Sequence, residues 1–181
     1  MFNRLIISSL LLASTVLWFS CNKAGDEIPP VKPTYEINAS ITDTSPALKK
    51  FKADVTSSFD ASNGRLTLTA THSTLGLMTI KLSTGETDVK SIKPGVYVLD
   101  STGTLPAKFM SIIEFGGKTT TGIIQPPHVR NPGVVISKAG QDQLSGKITT
   151  VGTFECATSS PADSSKYIHH ISEGGFTVLF N

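Results

Sequence analysis

Lys50-Phe51-Lys52-Ala53-Asp54-Val55-Thr56 and, beyond Asn63-Gly64, Arg65-Leu66-Thr67-Leu68-Thr69-Ala70-Thr71 decide the fold of this 181-residue chain. In the first stretch Phe51, Ala53 and Val55, with Phe59 further on, fall on one side. Lys50, Lys52, Asp54 and Thr56 fall on the other. In the second, Leu66, Leu68 and Ala70 alternate with Arg65, Thr67, Thr69 and Thr71. A period of two belongs to a β-strand, whose successive side chains point to opposite faces. Asn-Gly is a strong signal for a tight turn between two such strands. Met78, Ile80 and Leu82, set against Thr79 and Lys81, continue the scheme. Strands with one apolar and one polar side suit an antiparallel sheet that is wet on one face.

Working outward, further strands are predicted at 96–99, after Pro94-Gly95, and at 109–115. Gly116-Gly117 joins the latter to 118–124 as a hairpin. A short strand is expected at 134–138, and a long one at 144–156 in which Gly152 marks a bulge. Phe176, Val178 and Phe180 form the last, after Gly174-Gly175. Pro126-Pro127, Asn131-Pro132 and Ser159-Ser160-Pro161 read as loops. The one helical candidate is a short turn at 45–50, where Ser45 caps and Pro46 fits the first helical position. Ser and Thr make up 38 of the 161 residues after position 20, and the apolar set is rich in β-branched and aromatic types. The expectation is an all-β domain of about eight to ten short strands, an antiparallel sandwich or barrel, with no internal repeat.

The beginning of the chain has a different character. A short basic region ends at Arg4, and residues 5–19 carry no charge. Fifteen helical residues span ~22 Å, short of the ~30 Å of a bilayer core. This is the pattern of an export signal rather than a permanent span. Pro29, Pro30 and Pro33 then punctuate a stretch with little to bury. Proline fixes φ and removes donors, so residues 22–34 form an extended tether reaching up to ~40 Å at ~3.1 Å per residue. The expected organisation is a signal peptide at 1–20, Cys21 with its tether at 21–34, and the all-β domain at 35–181.

Trp18-Phe19-Ser20-Cys21 resembles the lipobox of bacterial lipoproteins. The resemblance implies cleavage before Cys21, diacylation of its thiol and acylation of the new amino group. One buried acyl chain holds a protein to a bilayer marginally, and two or more hold it firmly. Asn22 in place of Asp implies the outer membrane, with the domain facing the periplasm or the cell surface. Lys23 with Asp26-Glu27 weakly resembles the surface-export signals of Bacteroidota. The chain as a whole looks like a small Bacteroidota lipoprotein of unknown function. Ser20-Cys21-Asn22-Lys23, Lys93-Pro94-Gly95-Val96-Tyr97, Leu144-Ser145-Gly146-Lys147-Ile148, Gly152-Thr153-Phe154 and Gly174-Gly175-Phe176-Thr177-Val178 carry that likeness. It implies an all-β domain and brings no catalytic residues with it.

Removing Arg4 with the signal leaves fifteen Lys and Arg against fourteen Asp and Glu. The charges are scattered, so nucleic acid has no electrostatic footprint here. Cys156 is then the lone thiol. Alternating with Phe154, it reads as a small buried hydrophobe. His169-His170 is the most tempting metal pair, but neighbours on a strand face opposite ways, and zinc takes three or four ligands at recognisable spacing. There is no Gly-x-Ser-x-Gly elbow, no P-loop, no Gly-x-Gly-x-x-Gly and no pair of carboxylates that spacing brings together. No catalytic residue, cofactor or metal is assigned. Asp100-Ser101-Thr102 matches a short O-glycosylation motif of exported Bacteroidota proteins and makes Ser101 a candidate for modification. The expected function is a non-enzymatic, lipid-anchored module binding an envelope ligand, glycan or protein through loops such as 125–132 and 157–166. A structural envelope or assembly subunit is the alternative, and a hydrolase whose residues converge only in space is a third.

Overall fold

The computed structural model describes residues 35–43, 47–100, 104–116, 118–119, 133–141, 146–160 and 163–180. The signal segment, Cys21, the tether, Ser101 and loop 125–132 lie outside them. Ten strands follow in order: β1 Glu36–Thr42, β2 Lys49–Asp60, β3 Arg65–His72, β4 Gly76–Ser83, β5 Gly95–Leu99, β6 Met110–Phe115, β7 Lys118–Thr119, β8 Gly133–Gln141, β9 Ile148–Ser160 and β10 Asp163–Phe180. The single helical element among the described residues is a 3-10 turn, Val89–Ser91, capped by the Asp88 carboxylate on the amide of Lys90. The helical turn expected at 45–50 is not formed at its end, because Lys49 and Lys50 already pair in β2 with Ile41 and Ser40. Residues 157–166, expected as a loop, are strand to Ser160 and again from Asp163.

Nine strands close into a barrel in the order β4-β3-β2-β1-β10-β9-β8-β5-β6, and β6 pairs back onto β4. Closure carries a parity condition. Each antiparallel neighbour reverses direction, so a ring must contain an even number of such pairs, and nine strands need at least one parallel pair. That pair is β5–β6, where Val98 lies opposite Met110 and Leu99 opposite Ser111. With β4 along one edge of β6, β5 and the two-residue β7 share the other. Full closure also removes the open edges that make sheets aggregate.

The inward rows fill the barrel. Ile37, Leu66, Leu68, Met78, Ile80, Leu82, Tyr97, Ile113, Val134 and Ile171 are fully buried, with Phe51, Phe154 and Phe176 between them. Each such side chain contributes about 1.5–3 kcal/mol by leaving water. The alternation of β2, β3 and β4 holds without interruption: Val55 pairs Ala70, Leu66 pairs Leu82 and Ala70 pairs Met78. The β2–β3 turn spans Ala61 to Gly64. Asp60 holds it, accepting from the amides of Ser62 and Asn63 and from both their side chains. Those donors lower its pKa to about 2.

Bulges interrupt the alternation in β8 and β10. In β8 the register slips between Ile136 and Lys138. Beyond it, Ala139 and Gln141 occupy the inward face that Val134 and Ile136 hold before it. In β10 the slip between Ile171 and Gly174 leaves Glu173 in the left-handed region at φ 50°. Just past it, Gly174 faces Phe154 while Phe176 faces Gly152. Each ring lies over the glycine opposite: a Cβ on Gly152 would sit 2.4 Å from Phe176 Cζ, and one on Gly174 would sit 2.6 Å from Phe154 Cδ2. The two rings stack with centroids 6.5 Å apart. These reciprocal pairs explain the two Gly-x-Phe motifs.

Candidate functional site

A basin of about 730 Å³ is lined by Lys90, Gln141, Gly146, Lys147, Ile148 and Phe180. Three of these are register partners in a single row. Gln141 at the end of β8 lies opposite Ile148 at the start of β9, and Ile148 lies opposite Phe180 at the end of β10. Directly opposed residues share a face, and this is the inward face that also carries Phe176 and Val178. The basin is therefore a mouth of the barrel. Ile148 and Phe180 form an apolar floor continuous with the core, and Val89 packs against the same core beside Lys90. Gln141 Nε2 donates to the Gly146 carbonyl at 2.8 Å, tying the two rims of the β8–β9 connection.

Polar groups converge on that floor from two sides. Lys90 has no ion-pair partner among the described residues, and Lys147 flanks Ile148. One row deeper lies Thr150, opposite Ala139 and Val178. It is fully buried, and its hydroxyl has no hydrogen-bond partner, which is uncommon for a buried polar group. Nearby, at the start of β5, the Tyr97 phenol donates to the Lys93 carbonyl, and burial reinforced by the charge of Glu86 pushes its pKa up to about 12.

No protein-family model, curated protein or solved structure matches this chain. Chemistry has to be read from the residues themselves. The outer wall holds a second constellation around the β10 bulge. Ser40 Oγ donates to Glu173 Oε2 at 2.6 Å and accepts from Lys50 Nζ at 2.6 Å, while Lys50 and Glu173 pair at 3.3 Å. The Ser40 hydrogen bond, then Lys50, hold the Glu173 carboxyl below its ordinary range. Grooves of about 310 Å³ and 260 Å³ flank Glu173. They are smaller than the mouth, and their carboxylates already have partners: Glu36 pairs with Lys52, and Glu155 Oε1 lies 3.4 Å from His170 Nε2. Ser40 is almost wholly buried under its two partners.

The adjacent histidines divide between faces as their spacing requires. His169 points inward, edge-on to Phe115 at 5.1 Å, and His170 points outward to Glu155. Burial lowers the pKa of His169, with Asp43 acting to raise it and Lys49 to lower it. His72 Nδ1 accepts from the amides of Thr74 and Leu75, which assigns it to the β3–β4 turn. No three of His, Cys, Asp and Glu form a cluster fit for a metal among the described residues. Cys156 is fully buried, and burial pushes its thiol well above the usual range. Asp100, of the Asp100-Ser101-Thr102 motif, is buried with its carboxylate on the amides of Thr104 and Leu105 at 2.9 and 2.6 Å.

The mouth escaped sequence reasoning. Its row joins residues 141, 148 and 180, and Gln141 reaches the inward face only because of the β8 bulge. Ser-Gly-Lys-Ile at 145–148 stands out as a motif, but nothing local to it indicates a partner row on β10.

Proposed function

We propose that this chain is a lipid-anchored, non-enzymatic binding module of the cell envelope that holds its ligand at the barrel mouth. The basin lined by Ile148, Phe180, Gln141, Lys90 and Lys147 carries the reading. Ligand sites are concave, largely apolar and oriented by a few polar groups, occupy about 300–1,000 Å³, and favour the mouths of β-barrels. The basin meets each of those criteria. The packed interior supports the same reading, since side chains rather than a ligand occupy the axis of the barrel. For the anchor, support comes from the lipobox-like Trp18-Phe19-Ser20-Cys21 and the proline-punctuated tether.

The test is a thermal-shift screen of the purified protein against envelope glycans, peptides and small apolar ligands, followed by assignment of the amides that respond to any hit. A ligand that raises Tm and perturbs Gln141, Ile148 and Phe180 supports the reading. Hits that perturb only loop 125–132 or the Glu173 wall would move the site elsewhere on the barrel.

A further inference from the structure

Packing accounts for every side chain at the mouth except Thr150. It lies between Ala139 and Val178 in the row beneath the basin floor and is fully buried. Among the described residues, Thr150 Oγ1 and His169 Nδ1 are the buried side-chain polar atoms without a hydrogen-bond partner. Two other buried hydroxyls show how this fold ordinarily treats such a group. Ser111 Oγ donates to the Tyr97 carbonyl at 2.8 Å, and Thr84 Oγ1 to the Gly64 carbonyl at 2.8 Å. A hydroxyl that gives up water and gains no partner weakens the fold, and valine has the same shape without that cost.

The hydroxyl lies within reach of the basin. Thr150 follows Ile148 by two residues on β9, so it sits ~7 Å deeper on the same face. Ala139, directly opposite on β8, faces inward after the bulge and is partly exposed. Opposed side chains on one face start ~5 Å apart, and alanine fills little of that space. A slender group entering over Ala139 therefore meets the Thr150 hydroxyl. Ile148 and Phe180 supply an apolar surface above it. Below it the next row is Ile136, Gly152 and Phe176. Nothing in these rows would compensate a charge, and a bare charge at that depth is strongly disfavoured.

We infer, on the reading that the mouth is the binding site, that it takes a small uncharged aliphatic ligand ending in a ketone or hydroxyl oxygen. The hydrocarbon lies on Ile148 and Phe180, and the oxygen accepts from the Thr150 hydroxyl. One such hydrogen bond strengthens binding by about fivefold.

The experiment titrates heptan-2-one and heptan-1-ol, with heptanoate and heptylamine as controls, into the purified protein and its Thr150→Val and Thr150→Ser variants. Calorimetry gives affinity, backbone amide shifts give location, and thermal melting reports the cost of the hydroxyl. The ketone and the alcohol should bind with shifts at Ala139, Ile148, Thr150 and Phe180, and the two charged probes about tenfold or more weakly. Thr150→Val should melt about 3–6 °C above the natural protein yet bind heptan-2-one about fivefold more weakly. Thr150→Ser keeps the hydroxyl and should bind within about twofold of the natural protein. A purely structural Thr150 would leave the affinity unmoved. Equal binding of heptan-2-one by Thr150→Val, or heptanoate bound as tightly as the ketone, at the same amides, overturns the ligand class and leaves the mouth a binding site. A Thr150→Val protein melting below the natural one overturns the unpartnered hydroxyl. No shift at the mouth with any of these probes overturns the inference; if the wider thermal-shift screen also leaves Gln141, Ile148 and Phe180 unperturbed, the mouth falls with it.

Discussion

Replacing Gly152 with alanine places a methyl group where no side chain fits. Its Cβ would sit 2.4 and 2.8 Å from two carbons of the Phe176 ring and 2.7 Å from the Val135 carbonyl oxygen, all closer than non-bonded atoms approach. The ring can swing only by giving up its stack on Phe154. The carbonyl belongs to β8, which is paired on both sides at that point, with Tyr97 in β5 opposite Val134 and Thr153 in β9 opposite Val135. Overpacking of this kind costs about 1–3 kcal/mol, and contacts on two sides place it at the upper end. The restricted unfolded chain returns about 0.5 kcal/mol. The net expectation is about 2.5 kcal/mol, or a Tm lower by about 5–10 °C for a domain of this size. Gly175→Ala is the control. There the nearest atom is the flexible Asn38 amide oxygen at 3.2 Å, and the change should stay within about 0.5 kcal/mol. Urea unfolding is followed by far-UV circular dichroism, because the single tryptophan, Trp18, precedes the barrel. Phe176→Leu in the Gly152→Ala background should recover only part of the loss, since the carbonyl remains. A Gly152→Ala protein within 0.5 kcal/mol of the natural one, or an equal cost at Gly175, would refute the ring-over-glycine packing.

Three further outcomes follow from the same geometry. Glu173 sits at φ 50°, so Glu173→Gly should melt roughly 2–4 °C above Glu173→Ala, both lacking the carboxylate and only the latter keeping the backbone strain; equal melting temperatures would place that residue outside the left-handed region. Burial lowers the pKa of His169 in the folded protein, whereas in the unfolded chain it takes a proton near its ordinary value of 6.5. Its contribution is therefore whole above about pH 6.5 and lost as pH falls below it, and the drop in Tm between pH 7.5 and 5.5 should be smaller in His169→Gln than in the natural protein. Cys156, buried with a raised pKa, should react with a thiol reagent at the rate of global unfolding, at least 100-fold slower than in urea; rapid labelling of the folded protein would contradict its core position.

The legibility of the fold varied along the chain for physical reasons. β2, β3 and β4 could be read directly because their alternation is unbroken from Phe51 to Leu82. Strict alternation ends β8 at Lys138, because the bulge moves Ala139 and Gln141 to the face that alternation gives to their neighbours. Alternation marks β10 only from Phe176, although the strand begins at Asp163, since the slip after Ile171 puts its two halves out of phase. The parallel β5–β6 pair has no local signature: it follows from closing nine strands. Sandwich and barrel share the same strand patterns, and the β4–β6 pairing decides between them. The mouth depends on long-range register, so its residues looked like ordinary strand ends. Cys156 and the division of His169 from His170 needed only the period of two.

Whether the barrel works at a membrane turns on Cys21. The direct measurement is radiolabelled palmitate supplied to cells making either the natural chain or Cys21→Ser, followed by isolation of the protein from membrane and soluble fractions. The natural chain should carry label and fractionate with membranes, and Cys21→Ser should carry none. An unlabelled natural chain, or equal labelling and fractionation of both, would contradict the lipid anchor.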